Sequence, residues 1–289
     1  MSIAMATATK PAPRPPMGPA AGRIAIGAAL IAMIIIQLVP FYITVTTALK
    51  KKTDLSSQWL PPLDGIYWEN FATAVEKGNI LQAVFNSAVV TLTSTILVCL
   101  LGALAAYPLA RRTTRMNGVA SLMFVTLIMV PSLSVLVPLY SMMNALGAVN
   151  TYWGTILVMV ATNLPLAVFL YTSFMRGLPL SVEEAASVDG ASTLKILLQI
   201  VFPMIKPVTA TVVILTSVSV WNEYALSGFL MRSPELRTIA PAIGSFFGAS
   251  SSDMGAAAAG SLISVAPVLI VYLVLQQYFV KGMVAGAEK

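Results

Sequence analysis

The chain has 289 residues, of which 57% are hydrophobic and only 10% are charged, against about 25% charged residues in a typical soluble domain. This composition excludes a soluble globular protein and indicates several membrane spans. The chain has no histidine and a single cysteine, Cys99, which excludes a disulfide within one chain and a Cys/His metal site. We attribute the net charge of +6 to basic residues on the cytoplasmic side of a membrane and not to nucleic-acid binding.

The first segment, residues 1–22, is rich in alanine and proline and has no apolar core of its own, so we predict a disordered cytoplasmic tail. The apolar run at 24–48 that follows it is longer than the roughly 7–15 apolar residues of a secretory signal peptide. No clear small-residue cleavage site follows that run. We therefore interpret residues 23–84 as a retained first transmembrane helix and an external segment.

Six apolar runs are long enough to cross a membrane, since a transmembrane helix needs about 20 mostly apolar residues. None of them has Lys or Arg in its middle. The six predicted spans are 24–48, 85–109, 119–140, 152–174, 208–230 and 260–280. The sequence therefore predicts an all-α polytopic membrane protein, with a core membrane domain at 85–280 and a cytoplasmic tail at 281–289.

The distribution of Lys and Arg between the loops predicts that both termini are cytoplasmic. In that orientation, eleven of the 17 basic residues face the cytoplasm and six face outwards. The exception is the basic run at 50–52, which follows the first span directly on the predicted external side. The opposite orientation would explain this run, but it would leave the three arginines at 111–115 outside.

The cytoplasmic loop at 176–207 begins with the pattern of a short helix. Ser181 with Glu184 three residues later forms a capping box, which predicts that a helix starts there. Glu183 and Glu184 would lie in the first turn, where acidic side chains suit the helix dipole.

Asp189 and Gly190 predict the end of this helix, because glycine is the usual residue just past a helix C-terminus. A second short helix is predicted to begin near Ser192 or Thr193 and to stop before Pro203. The loop is thus expected to contain two short helices between two membrane spans.

This stretch resembles the coupling motif of ABC-importer permeases, a Glu-Ala-Ala triplet followed at fixed gaps by Gly, Ile and a Leu-Pro pair. The matching positions are Glu184, Ala185, Ala186, Gly190, Ile200 and Pro203, with Phe202 in place of the leucine. Asp189-Gly190-Ala191 also matches the form found in the carbohydrate-importer branch. Long motifs with fixed gaps are much more specific than short glycine patterns.

The resemblance implies that this helical coupling loop contacts an ATPase subunit. The residues expected to take part are Ser181, Glu183, Glu184, Ala185, Ala186, Asp189, Gly190, Ala191, Ile200 and Pro203. The small side chains of Ala185 and Ala186 would let the first helix lie deep in a groove of the ATPase. An exposed ion pair at the rim of such a groove contributes only about 0–1 kcal/mol, so shape should matter more than charge. On this view Gly190→Val or Ala186→Trp uncouples the ATPase, whereas Glu183→Gln does little.

From Phe85 to the C-terminus the chain resembles the maltose-type inner-membrane permeases of this family. The matching features include the pair Asn-Ser at 86–87 and an Ala-Ala-Tyr run that ends at Tyr107. The C-terminal residues also resemble the family's tail, except that Glu288 replaces a neutral or apolar residue. The resemblance implies that three tail residues contact the ATPase: Lys281, Gly282 and Gly286.

Glu223 in the fifth predicted span is a carboxylate at or near membrane depth, where acidic groups are costly and are functional candidates. It belongs to a Trp-Asn-Glu-Tyr run that resembles sugar-importer permeases at this place. Two readings remain open: Glu223 lies on the translocation path, or it packs at the external interface. The candidates for contact with a sugar are Asn163, Asn222, Glu223 and Tyr224.

The resemblance implies four kinds of partner in a bacterial inner membrane: a second permease, a pair of ATPase subunits, an external solute-binding protein and the surrounding lipid. The chain has no phosphate-binding loop, so it should bind no cofactor itself, and ATP and Mg would lie on the ATPase subunits. The function that the resemblance implies is a permease subunit that forms half of the translocation path of a bacterial ABC importer for a sugar or related polyol. The alternative is a secondary transporter driven by an ion gradient, which often shows internal repeats. A membrane enzyme or scaffold is a third class, but no catalytic constellation is present.

Overall fold

The computed structural model describes residues 19–63, 65–248 and 252–287, with side chains except at 19–21, 271–272 and 274–287. Within this part the chain is helical, and the β-type pairing it contains is an isolated bridge between Phe247 and Ser252. The predicted all-α class is confirmed. Of the predicted N-terminal tail, residues 1–18 lie outside the described residues.

The helices fall into three groups by length. The long ones are α1 (Pro19–Ala48), α3 (Ile80–Arg111), α6 (Tyr152–Arg176) and α13 (Met254–Ala287). Those of intermediate length are α4 (Arg115–Ile128), α5 (Leu136–Ala145) and α10 (Lys206–Trp221). The short ones are α2 (Glu69–Glu76), α7 (Ser181–Val188), α8 (Thr193–Ile196), α9 (Phe202–Met204), α11 (Ala225–Leu230) and α12 (Ile239–Gly244). A 3-10 turn at Ser132–Val135 precedes α5, and a π turn at Leu197–Val201 joins α8 to α9.

Three predicted spans, 24–48, 85–109 and 152–174, lie within the continuous apolar helices α1, α3 and α6, which are long enough to cross a membrane. Two bent pairs of helices also qualify if each pair forms one span, which gives up to five spans among the described residues. The predicted count of six is not reached in this part of the chain. The sixth predicted span, 260–280, lies inside α13, whose side chains are described only in part.

The predicted span 119–140 is wrong as a continuous helix. α4 ends at Ile128, and the following 3-10 turn and α5 continue at an angle of 95° to it. Pro131 lies at the break. Proline has no N–H group to donate and disfavours helical backbone angles at the preceding residue, which favours a break at this position.

The predicted span 208–230 is also interrupted. α10 ends at Trp221, and α11 begins at Ala225 after three intervening residues. Glu223 causes the restart, because its carboxylate accepts hydrogen bonds from the N–H groups of Leu226 at 2.9 Å and Ser227 at 2.6 Å. An acceptor side chain at this place satisfies the free N–H groups of a helix start. At its other end, α10 meets the segment Thr193–Met204 at an angle of 78°.

α3 and α6 form the centre of the bundle, and α10 packs against both. The largest apolar cluster includes Val98 of α3 and the fully buried side chains of Tyr171 and Met175 on α6. The two helices approach closely at Gly102, where an added Cβ would lie 3.2 Å from the Cβ of Ala167. Small residues at such crossings are typical of membrane helix pairs.

At one end of the bundle, the start of α3 is joined to the segment 231–239. The Asn86 side-chain amide donates to two backbone carbonyls of this segment, both at 2.9 Å. Its amide oxygen accepts from the Tyr152 hydroxyl, at the start of α6, at 2.6 Å. The Ser87 hydroxyl oxygen accepts from the N–H of Ile239 at 2.7 Å. Both central helices are therefore fixed at this end.

The same end of the bundle contains the basic run at 50–52, which was the exception in the prediction of membrane orientation. Lys50 is buried, and its ammonium group donates to the Ser56 hydroxyl at 2.8 Å and to the Ser57 carbonyl at 2.7 Å. The Lys52 ammonium lies 3.9 Å from the Asp253 carboxylate. Two of the three lysines thus have partners in the fold.

Candidate coupling site

The predicted capping box at the start of α7 is wrong. Leu180 already has helical backbone angles, φ −68° and ψ −27°. Its carbonyl accepts hydrogen bonds from the N–H groups of Glu183 at 2.9 Å and Glu184 at 3.0 Å. A capping side chain needs a non-helical backbone, so Ser181 begins the helix as its first residue and does not cap it.

The predicted end of α7 is confirmed. Gly190 has φ +80°, in the left-handed region, and the N–H of Ala191 donates to the carbonyl of Ala186 at 3.0 Å. This is the hydrogen bond of a Schellman motif, which ends helices at a glycine. The next helix starts as predicted, because the Ser192 hydroxyl accepts from the N–H of Lys195 at 3.4 Å.

Gly190→Val should therefore distort the turn between the two coupling helices. A side chain with a Cβ costs about 1–2 kcal/mol in the left-handed region, and nothing lies within 4 Å of the added atom to confound the effect. If the loop contacts an ATPase, as the sequence resemblance implies, ATP hydrolysis stimulated by the solute-binding protein should fall about tenfold in the reconstituted complex. Gly190→Asn should retain most of the stimulation, since asparagine tolerates this conformation. Equal activity of the two variants would contradict the role of the turn.

The second coupling helix contains a π turn at its centre. The N–H of Phe202 donates to the carbonyl of Leu197, five residues earlier. Ile200 is half-buried in this turn, and Phe202 packs against the largest apolar cluster. Pro203 lies in the first turn of α9, so the helical segment continues one residue beyond it to Met204 and does not stop before it. A π turn next to a proline, followed by a 78° bend, gives this segment an irregular backbone.

The first coupling helix, α7, has two distinct faces. The outer face is exposed and contains Ser181, Glu184, Ala185, Val188 and Asp189, of which Glu184 and Ala185 belong to the motif. The inner face packs on the chain's own bundle and contains Glu183 and Ala186. The two alanines of the motif thus face different surroundings, and only Ala185 is free to contact a partner.

Glu183 lies inside the protein and is not free to pair at the rim of a partner groove. Its side chain is only 10% exposed, and that of Arg111 is 11% exposed. The Arg111 guanidinium donates to one carboxylate oxygen through Nε at 2.9 Å and through a second N–H group. The Tyr107 hydroxyl donates to the other oxygen at 2.9 Å. The small effect expected of Glu183→Gln assumed an exposed carboxylate at the rim of a partner groove, and that premise is wrong.

Tyr107 and Arg111, which hold this carboxylate, are absent from the sequence-based site. The available signal was their spacing of four residues near the end of α3, which puts both side chains on one helix face. Arg111 also donates to the Met175 carbonyl at 2.7 Å, and Arg176 donates to the Leu109 carbonyl at 3.3 Å. The ends of α3 and α6 are therefore joined beside α7.

Four apolar side chains of the two coupling helices are exposed, and they are together called the apolar patch: Val182 (42% exposed), Val188 (88%), Leu194 (58%) and Leu198 (50%). Exposed apolar side chains are candidates for binding another protein or a membrane.

The other predicted candidates do not form one hydrogen-bonded site. The side-chain amides of Asn163 and Asn222 donate back to their own helices, at 2.8 Å and 2.9 Å. Glu223 caps α11, as described above, and Tyr224 is 59% exposed. The Tyr224 ring packs on Gly244, where an added Cβ would lie 2.6 Å from ring carbon Cε2.

For the tail candidates Lys281, Gly282 and Gly286, only the backbone, as part of α13, is described, so their role stays a prediction.

Residues 99–285, which include both coupling helices, match the family described as binding-protein-dependent transport system inner membrane component. The chain belongs to this family. It is a multi-pass inner-membrane protein, consistent with its apolar helices.

Two relatives and one solved structure show how far the likeness in this family extends. The melibiose/raffinose/stachyose import permease protein MelC of Bacillus subtilis is 39% identical over 88% of this chain and 92% of its own length. The probable ABC transporter permease protein YurM of the same organism is 35% identical over 81% of this chain and 76% of its own length. A bacterial ABC transporter that imports the acidic polysaccharide alginate has a chain with the same fold, with a TM-score of 0.75 and 22% identity. That match covers 92% of this chain and all of the other.

Proposed function

We propose that this chain is the permease subunit of a bacterial ABC importer for a sugar. The observation that carries the proposal is the pair of coupling helices, which present an exposed motif face and an apolar patch to a partner. Membership of the family and the relatedness to a permease for melibiose, raffinose and stachyose support it. No observation in the described part of the chain favours the ion-driven secondary transporter.

The proposed partners follow from this role. A pair of ATPase subunits, which bind ATP and Mg, docks on the outer face of α7 and on the apolar patch. A second permease completes the translocation path, and an external solute-binding protein delivers the sugar. The coupling end of the bundle is then cytoplasmic, and the end with Asn86 and the segment 231–239 is external. Both termini are cytoplasmic in this orientation.

The proposed path lies beside the break between α10 and α11. Asn222 and Tyr224 are exposed there, and an aromatic ring with polar neighbours suits the faces and hydroxyls of a sugar. Glu223 fixes the direction of α11 through its two backbone hydrogen bonds, so in this proposal it positions the wall of the path. Asn163 on α6 is a further candidate for contact.

Reconstitution in lipid vesicles tests the function. The chain alone should neither hydrolyse ATP nor take up labelled raffinose, and it should gain both activities with an ATPase, a second permease and a solute-binding protein from the same organism. Omitting the ATPase is the matched control and should abolish uptake. Uptake of raffinose by the chain alone, driven by an ion gradient, would contradict the proposal.

A further inference from the structure

We propose that Tyr107, Arg111 and Glu183 form a latch that transmits movement of α7 to α3 and α6. The inference rests on the proposed function, because it assumes that an ATPase moves α7. It adds positioning residues that lie outside the coupling motif. The latch is defined here as these three side chains.

The helices that the latch reaches extend across the whole bundle. From Asn86 to Arg111, α3 rises about 37 Å, which exceeds the roughly 30 Å hydrocarbon core of a bilayer. α3 and α6 are tied together at both ends. At the far end the Tyr152 hydroxyl donates to Asn86, and at the coupling end Arg111 donates to the Met175 carbonyl. A displacement at one end of this pair is therefore carried to the other.

The covalent connections of α7 to the other helices of the bundle are less direct than the latch. Residues 177–180 lead into it from α6, and Gly190 turns the chain sharply after it. Beyond that turn, the π turn at Leu197–Val201 and the 78° bend separate it from α10. Of the ion pairs in the described part of the chain, Arg111–Glu183 is the one that joins α7 to another helix.

The chemistry of the latch suits a stiff connection. Two guanidinium N–H groups bind one carboxylate oxygen, and a hydroxyl binds the other. Charge-assisted hydrogen bonds are stronger than neutral ones, and burial strengthens them further. The carboxylate can therefore be held in one orientation from α3 while the outer face of α7 remains open to the ATPase.

Glu183→Gln tests the latch, because it keeps the shape of the side chain and removes its charge. We expect the ATPase to co-purify in full, since this side chain points away from the exposed face. Raffinose uptake per ATP hydrolysed should fall about tenfold, within the usual range of coupling between sites. Tyr107→Phe should act in the same direction with a smaller effect. Arg112→Gln is the matched control, with an exposed charge removed at the adjacent position, and should leave the ratio unchanged.

The double variant Arg111→Met/Glu183→Leu separates transmission from stability. It replaces the buried pair by apolar side chains, which can preserve a fold, so we expect assembled complexes with the same about tenfold loss of uptake per ATP. Normal coupling in assembled Glu183→Gln or double-variant complexes would overturn the latch. Loss of the ATPase from Glu183→Gln alone would also overturn it, by placing Glu183 in the docking surface. An ATPase that fails to bind the wild-type chain would instead overturn the proposed function.

Discussion

Arg111→Met is expected to lower the free energy of unfolding by about 3–5 kcal/mol, the usual cost of leaving a buried charge without its partner. The Glu183 carboxylate would keep one hydrogen bond, from Tyr107, in a site where both charged side chains are about nine-tenths buried. The Met175 carbonyl would lose a donor as well. The measurement is unfolding of the purified chain in mixed micelles with increasing denaturing detergent.

Arg112→Met is the control for that experiment. It removes the same charge one residue away, at an exposed position, and should change the free energy of unfolding by less than about 0.5 kcal/mol. Adding Glu183→Leu to Arg111→Met should recover most of the lost stability, because the unpaired charge is then gone. Equal stability of the Arg111 and Arg112 variants would show that the ion pair contributes nothing to the fold.

Features set by local backbone chemistry were predictable from the sequence. Gly190 was expected to end α7, and its positive φ shows why a glycine is needed there. Ser192 was expected to start the next helix, and its hydroxyl caps it. Pro131, in contrast, lies inside the predicted span 119–140, yet the chain turns by 95° there. A proline removes one backbone donor, but the size of the resulting bend depends on packing around it.

Other features were not predictable, either because they depend on distant parts of the chain or because two local patterns compete. Glu183 and Arg111 are 72 residues apart in sequence, so no local pattern pairs them. Ser181 has the spacing of a capping residue, but the chain is already helical at Leu180, and the cap is therefore lost. Glu223 was expected to be a path residue or an interfacial one, whereas its carboxylate starts a new helix. Side-chain hydrogen bonds to the backbone compete with such simpler readings.

The central claim is that the outer face of α7 docks an ATPase. Ala186 is a poor place to test it, because this side chain packs against the chain's own apolar cluster, and a bulky residue would disturb the bundle. Ala185 is exposed on the outer face. Ala185→Trp adds bulk only where the partner would lie, and Thr113→Trp adds the same bulk in the exposed loop between α3 and α4.

The most direct measurement is co-purification of the ATPase with these two variants, quantified against the wild-type complex. We expect Ala185→Trp to lose at least about four-fifths of the bound ATPase, because a cost of about 1.4 kcal/mol at the interface raises the dissociation constant tenfold when the concentration is near its wild-type value. Thr113→Trp should retain all of it. A full complement of ATPase on Ala185→Trp, with normal stimulated hydrolysis, would contradict the assignment of α7 as the docking helix.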